Sequence, residues 1–334
     1  MRQDSSGIQL RSADLTKCLR EGATLSMNFV DRVYAPLRTM VQGLEAALRV
    51  PVWANLYASW RVTPAFDLHW DDHDAFILQV SGEKHWQVYG PTRRFPIQDS
   101  VGAAPPCTQA VWEGVLRAGD CLYLPRGWWH KATPVDVPTL HLTVGFKNIT
   151  GIDFCQWLLG CLRSEECLRM DLPRFQDRDV QADYVSRIRE RISQAFADPS
   201  ILTRFVQNLA GTIASRSTFG FPHTAMTDRS LEAHRCSIWM TTRFPLEIQE
   251  MEGQEEVGVT IEGKTVTFEP YARPILNYLI RNVPVAVSEY CSYFEDRIDR
   301  ATLLLVLGKL VDHGIVTLKA AKEDLASPLD FVGG

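Results

Sequence analysis

An imidazole and a carboxylate stand two residues apart in the stretch 66–89, FDLHWDDHDAFILQVSGEKHWQVY. They are His69 and Asp71. On an extended chain, side chains two apart share a face. The pair therefore points into one pocket, while Trp70 and Asp72 point away. Completed by a third donor from elsewhere, this is the facial arrangement that holds non-haem Fe(II) and leaves positions open. The third donor has to come from a distant strand. The stretch 118–134, AGDCLYLPRGWWHKATP, offers one. Gly119-Asp120 makes a turn, 121–124 reads as a buried strand, Pro125-Arg126-Gly127 forces a second turn, and the chain restarts as a strand that carries His130.

Other donors compete. His73 lies four residues after His69, the HxxxH spacing of a helical zinc site, but the Glu of HExxH is missing. The residues that follow run apolar, like a buried strand, so His73 and Asp74 read as rim residues. His141 is the alternative third ligand. No turn presents it, and it reads as a supporting or satisfied core histidine.

The elements that position these residues follow from apolar spacing. Residues 34–48 carry an amphipathic helical pattern. Residues 52–60 read as a strand whose Asn55 and Tyr57 share a face. After the Ser81-Gly82 turn, 84–89 begins with Lys84; a buried ammonium needs a partner, and Trp86 on the same face reads as core. Residues 90–111 form a Pro-containing loop that suits the mouth of a site. Residues 140–146 close the strand-rich half, with His141 and Thr143 on one face. From residue 150 the texture becomes helical over 153–162 and 180–213, followed by a hairpin around Gly263 and helices over 271–282 and 300–313.

The chain has 334 residues, 46% hydrophobic and 22% charged, with a net charge of −5. That allows two domains or more and disfavours broad nucleic-acid binding, which needs a basic face. The eight cysteines form no CxxC pair, which argues against a zinc ribbon. No apolar run reaches the ~18 residues of a membrane span. A reducing cytoplasm, with thiols mostly buried as small hydrophobes, is the expectation.

Four stretches carry a resemblance: ANLYAS at 54–59, HWDDHDAFILQVSGEKHWQVY at 69–89, GDCLYLPRGWWHKA at 119–132 and LHLTVGF at 140–146. Together they resemble the JmjC-type oxygenases of the cupin superfamily, in particular the ribosomal-oxygenase branch. The resemblance implies an α+β chain with a double-stranded β-helix (jelly-roll) at 1–149, a helical dimerisation region at 150–238 and a winged-helix-like domain at 239–334. It implies Fe(II) held by His69, Asp71 and His130, with 2-oxoglutarate as co-substrate and O2 as oxidant. Lys84, fifteen residues after His69, stands where that branch pairs a basic residue with the far carboxylate of 2-oxoglutarate. Asn55, Tyr57 and Thr143 fall near the co-substrate or substrate; the residues alone equally allow Asn55 to bond a neighbouring loop and Tyr57 to be core. Relatives carry several tens of residues more before the 34–48 helix, so either the start is shortened or the barrel wall is completed differently. The implied activity is hydroxylation of a side chain in a ribosomal protein or a precursor peptide, by a homodimer. N-methyl-lysine demethylation by the same iron class and a non-enzymatic cupin-like binding module are the alternatives.

Overall fold

The computed structural model describes residues 11–62, 66–97, 109–135, 138–212, 236–244, 246–250, 256–261 and 264–320. The chain divides into two compact units, Met1–Ile149 and Thr150–Gly334.

In the first unit, period-two alternation builds two antiparallel sheets. The five-stranded sheet holds β1 (Thr24–Met27), β2 (Val52–Ser59), β3 (Asp74–Ser81), β6 (Cys121–Leu124) and β8 (Thr139–Phe146), in the order β1-β2-β8-β3-β6. The three-stranded sheet holds β4 (Lys84–Tyr89), β5 (Trp112–Leu116) and β7 (Trp129–Pro134), in the order β5-β4-β7. In β4 the alternation is complete: Lys84, Trp86 and Val88 are buried and the residues between them are half-exposed. One face of the larger sheet sends Val52, Ala54, Leu142 and Val144 into a core with Val41 of α2 (Ala35–Leu48). Its other face looks inward with the smaller sheet, where Ala75, Ile77, Trp86, Val88 and Leu124 pack together. Trp128 packs against that inner core, whereas the indole of Trp129 donates to Thr92 Oγ1 at 3.0 Å.

The wall beside β2 is completed by side chains. β1 pairs with residues 56–59 of β2 only. Further along this edge, the Val52 N–H donates to Glu45 Oε1 at 3.0 Å and the Ala54 N–H donates to Asp31 Oδ1 at 2.8 Å. Both carboxylates are buried. They occupy edge donors that would otherwise be open to strand addition.

The second unit begins with α3 (Gly151–Cys161), whose Thr150 and Asp153 form a capping box. It continues through α4 (Glu166–Arg169), α5 (Arg178–Phe196) and α6 (Ile201–Thr212). Then come β9 (Cys236–Met240), β10 (Ile248–Glu250), β11 (Val257–Ile261), β12 (Lys264–Phe268), α7 (Arg273–Asn282), β13 (Val285–Ala286), α8 (Val287–Phe294), α9 (Arg300–Asp312) and β14 (Val316–Ala320). β11 and β12 pair antiparallel as the hairpin reading expects; the Gly263 turn itself lies outside the described residues. β9 is the centre of a sheet ordered β13-β9-β14. A single core of this unit joins Ile238, Val259, Ile275, Leu279, Tyr290 and Leu307. No helix among the described residues is long and apolar enough to cross a membrane. The expectation of buried thiols is corrected: Cys18, Cys121, Cys155 and Cys161 are exposed, and Cys236 is the buried one among those described.

Candidate metal and co-substrate site

His69 and Asp71 do not belong to a regular strand, which corrects the simplest sequence picture; β3 starts three residues later, at Asp74. What aligns them is pairing with the start of β7, which carries the third residue, and with the turn before it. His69 and His130 form an isolated antiparallel bridge, with His130 N–H to His69 O at 2.7 Å and His69 N–H to His130 O at 3.2 Å. The Gly127 N–H adds a bond to Asp71 O at 2.8 Å. Gly127 takes φ +81°, and a Cβ there would sit 2.7 Å from the Pro96 ring. Glycine is therefore required at this turn on both conformational and steric grounds.

Donor atoms of His69, Asp71 and His130 all lie within 4.8 Å of one another. His130 Nε2 is 3.7 Å from Asp71 Oδ2. Each imidazole has its other nitrogen against a carbonyl two residues back: His69 Nδ1 to Asp67 O at 2.7 Å, and His130 Nδ1 to Trp128 O at 3.0 Å. A carbonyl only accepts, so Nδ1 carries the proton in both rings and Nε2 keeps its lone pair for the interior. That is the support a metal-binding histidine requires. Burial, and then the adjacent His69, hold the His130 imidazole below its ordinary range, which keeps it neutral and able to ligate. The donor set, two neutral imidazoles and one carboxylate on one side of an open cavity, fits a ferrous ion.

The cavity measures about 250 Å³, and all seven residues singled out in the sequence line it: His69, Asp71, His130, Lys84, Asn55, Tyr57 and Thr143. Strand register explains how they meet. Asn55 of β2, Thr143 of β8 and Ile77 of β3 form one inward row; Tyr57, His141 and Gln79 form the next. Asn55 serves two sides, because its Oδ1 accepts the Phe29 N–H at 3.0 Å while its side chain lines the cavity. Tyr57 stacks on His141 with ring centroids 5.1 Å apart.

Lys84 is 2% exposed, and among the described residues its polar partner is the neutral ring of His141, with Nζ to Nδ1 at 3.0 Å. No carboxylate among the described residues forms an ion pair with it, and burial pulls its pKa down from 10.5 to about 8. Below pH 8 this is a buried cation awaiting an anion. Its position along β4 relative to the triad is fixed by pairing. His130 opposes Val88, four residues from Lys84, so the two backbones are about 13 Å apart along the strand. Both side chains line the same cavity from these two positions.

Trp86, His141 and His73 also line the cavity. In sequence Trp86 and His141 look like core or support, because on a strand the inward face of a barrel has the same pattern whether it is packed or hollow. His73 leans on Trp53 and bonds Asp72 at the rim. Asp74 is buried and engaged by Tyr123, the Arg126 N–H and Asn148, which takes it out of contention as a ligand. His141 is outside the donor cluster, and because its Nδ1 accepts from Lys84, its ring proton sits on Nε2 and leaves no lone pair to offer. Much of the loop expected over the mouth, residues 98–108, and the 63–65 part of the entrance lie outside the described residues.

The chain is similar to several known proteins. Residues 34–154 match the family described as the JmjC domain. Over 110 residues the chain is 37% identical to the bifunctional lysine-specific demethylase and histidyl-hydroxylase NO66 of Drosophila persimilis, covering 32% of this chain and 16% of that protein. It is 41% identical over 113 residues to ribosomal oxygenase 1 of Gallus gallus, covering 32% of this chain and 19% of that one. The matched stretch thus spans less than a fifth of these relatives' length. Among solved structures, the Escherichia coli ribosomal oxygenase YcfD is similar with a TM-score of 0.58 at 17% identity, over 89% of this chain and 78% of that chain. A YcfD structure in complex with cobalt and 2-oxoglutarate gives a TM-score of 0.56 at 18% identity, over 89% of this chain and 78% of that chain. At these identities the likeness is one of fold.

Proposed function

We propose that this chain, whose residues 34–154 are a JmjC domain, is a Fe(II)- and 2-oxoglutarate-dependent oxygenase that hydroxylates a side chain of a protein or peptide. The observation that carries the reading is one cavity lined both by a His69–Asp71–His130 donor set and by Lys84, an ammonium with no counter-anion among the described residues. A dicarboxylate that chelates through one end and ion-pairs through the other answers both requirements. A ferrous ion with 2-oxoglutarate and O2 supplies the chemistry that turns C–H into C–OH, releasing succinate and CO2.

The chain's own residues do the rest. His69 and His130 offer Nε2 lone pairs fixed by their Nδ1–carbonyl bonds. Asp71 brings the anionic donor that makes the site prefer a dication. Lys84 holds the far carboxylate, and Asn55, Tyr57 and Thr143 form the polar wall beside it. Phe66 and Trp86 give the cavity apolar surface that limits water near the reacting carbon.

Relatives named ribosomal oxygenase support a ribosomal protein as the substrate, and the NO66 name joins hydroxylase and demethylase activities. Hydroxylation is the reading preferred here. Purified protein with ferrous iron, 2-oxoglutarate and candidate ribosomal-protein peptides should add one oxygen atom to a peptide and form succinate. Loss of a methyl group with formaldehyde would support the demethylase instead. Asp71→Ala should abolish succinate formation; undiminished turnover would refute the ligand assignment.

The helices of 150–238 are read as a homodimer surface, and 239–334 as a winged-helix-like module that contacts protein rather than DNA. Exposed apolar side chains support the first: Ile152 and Leu159 along α3, Leu172, Val185, Leu202, and Phe175 at 92% exposure. A second copy is the occupant this reading assigns to them.

A further inference from the structure

The cavity contains a donor that the function above leaves without a task. Lys84 Nζ lies 3.0 Å from His141 Nδ1. An ammonium only donates, so Nδ1 accepts and the single ring proton of His141 resides on Nε2. Burial, and then the Lys84 charge beside it, hold the imidazole well below its ordinary range, so the ring stays neutral. It is also held still. Tyr57 stacks on it at 5.1 Å with planes 14° apart, and Trp86 meets it edge-on at 5.6 Å. Among the described residues no acceptor takes the Nε2 proton, yet the side chain lines the cavity. Trp86 Nε1 is a second buried donor without a partner in the same cavity. Two open donors and an ammonium, in a cavity whose one lining carboxylate among the described residues is Asp71, describe a receptor for an oxygen-rich anion.

We propose that His141 is a co-substrate-binding residue: its Nε2–H donates to the same far carboxylate that pairs with Lys84, and Lys84 fixes the tautomer that makes it a donor. The inference rests on the reading of the cavity as a 2-oxoglutarate site. It turns a lysine and a histidine on two different sheets into one two-pronged clamp, with the proton positions of both set by their mutual bond.

The test uses succinate, which needs no chelation, titrated into the metal-free protein, together with 2-oxoglutarate kinetics on the iron-loaded protein. His141→Phe keeps a ring between Tyr57 and Trp86 and removes the donor. His141→Gln returns an N–H at similar reach. Loss of one hydrogen bond to a charged group predicts succinate binding weaker by about ten- to a hundred-fold in the Phe variant. It predicts recovery in the Gln variant and a rise in the 2-oxoglutarate KM with kcat little changed. On the unsubstituted protein, nitrogen-15 NMR of the histidine rings should show a protonated Nε2 on His141 that shifts as succinate is added. Equal succinate affinity in wild type and the Phe variant, or a His141 ring protonated on Nδ1, overturns the inference. A wild-type protein that binds neither succinate nor 2-oxoglutarate instead overturns the co-substrate reading on which it rests.

Discussion

Replacing Lys84 by methionine should make the empty protein more stable and the working site worse. The lysine is buried with no counter-anion among the described residues, and burial depresses its pKa from 10.5 to about 8. At about 1.4 kcal/mol per pH unit, holding the charge inside the folded cavity costs about 3 kcal/mol at neutral pH. Methionine fills the same volume and removes that cost. The substitution also strips His141 Nδ1 of its donor, a loss of about 1–2 kcal/mol, so the net gain is about 1–2 kcal/mol. The sign with pH follows from the depressed value. Between pH 8 and 10.5 the unfolded chain binds the lysine proton and the folded one does not. Wild-type stability without co-substrate therefore rises through that window, is complete above it, and is lost as the pH falls to 8; the methionine variant lacks this rise. With co-substrate the order inverts. Losing a buried charge-assisted partner costs about 2–5 kcal/mol, so 2-oxoglutarate should bind at least about thirty-fold more weakly. Urea unfolding below pH 8 and above 10.5, with and without 2-oxoglutarate, reads all of this. A Lys84→Met protein less stable than wild type at neutral pH, or one that binds 2-oxoglutarate undiminished, would refute the account of Lys84 as an ammonium kept in place for an anion.

Gly127→Ala places a side chain at φ +81° and 2.7 Å from Pro96; the turn must shift, Asp71 loses its backbone anchor, and calorimetric affinity for Mn(II) should drop at least about tenfold. Asp31→Ala and Glu45→Ala each unpair a buried N–H of β2, so each should lower unfolding free energy in urea by about 1–3 kcal/mol; a change below about 0.5 would mean that water replaces them. Leu172→Asp together with Val185→Asp should convert a sedimenting dimer to monomer while leaving 2-oxoglutarate binding intact, and an unchanged sedimentation coefficient would reject the dimer surface.

The metal-end residues were legible because turns punctuate them. Gly119-Asp120 and Pro125-Arg126-Gly127 bracket a strand and return the chain at His130, and the His69–Asp71 pair precedes an apolar run that can only be inside. Helices such as α2 and α9 were legible from apolar spacing. α8 was not, because VSEYCSYF mixes small polar and aromatic residues whose burial is decided by β9 and β13, strands too short or too distant to announce themselves. The carboxylates of Asp31 and Glu45 gave no signal at all. A side chain that bonds a backbone N–H seven or more residues away leaves no local pattern, and in sequence Glu45 looks like an ordinary helix-surface acid and Asp31 like a loop acid.

The hollow of the barrel was hidden for a different reason. Alternation tells which side chains of a strand point inward, but the same alternation serves a filled core and an empty one. On β4 the inward residues are Lys84, Trp86 and Val88; Val88 packs and Trp86 does both, lining the cavity while joining the core. What marks the space as a site is polarity that the fold does not satisfy. An ammonium, an imidazole and an indole N–H lie inside a barrel whose backbone donors are met by strand pairing, and even the edge donors of β2 find Asp31 and Glu45. A chain that supplies buried carboxylates to two edge amides, yet among the described residues none to Lys84, has its unmet positive charge where a ligand's negative charge belongs.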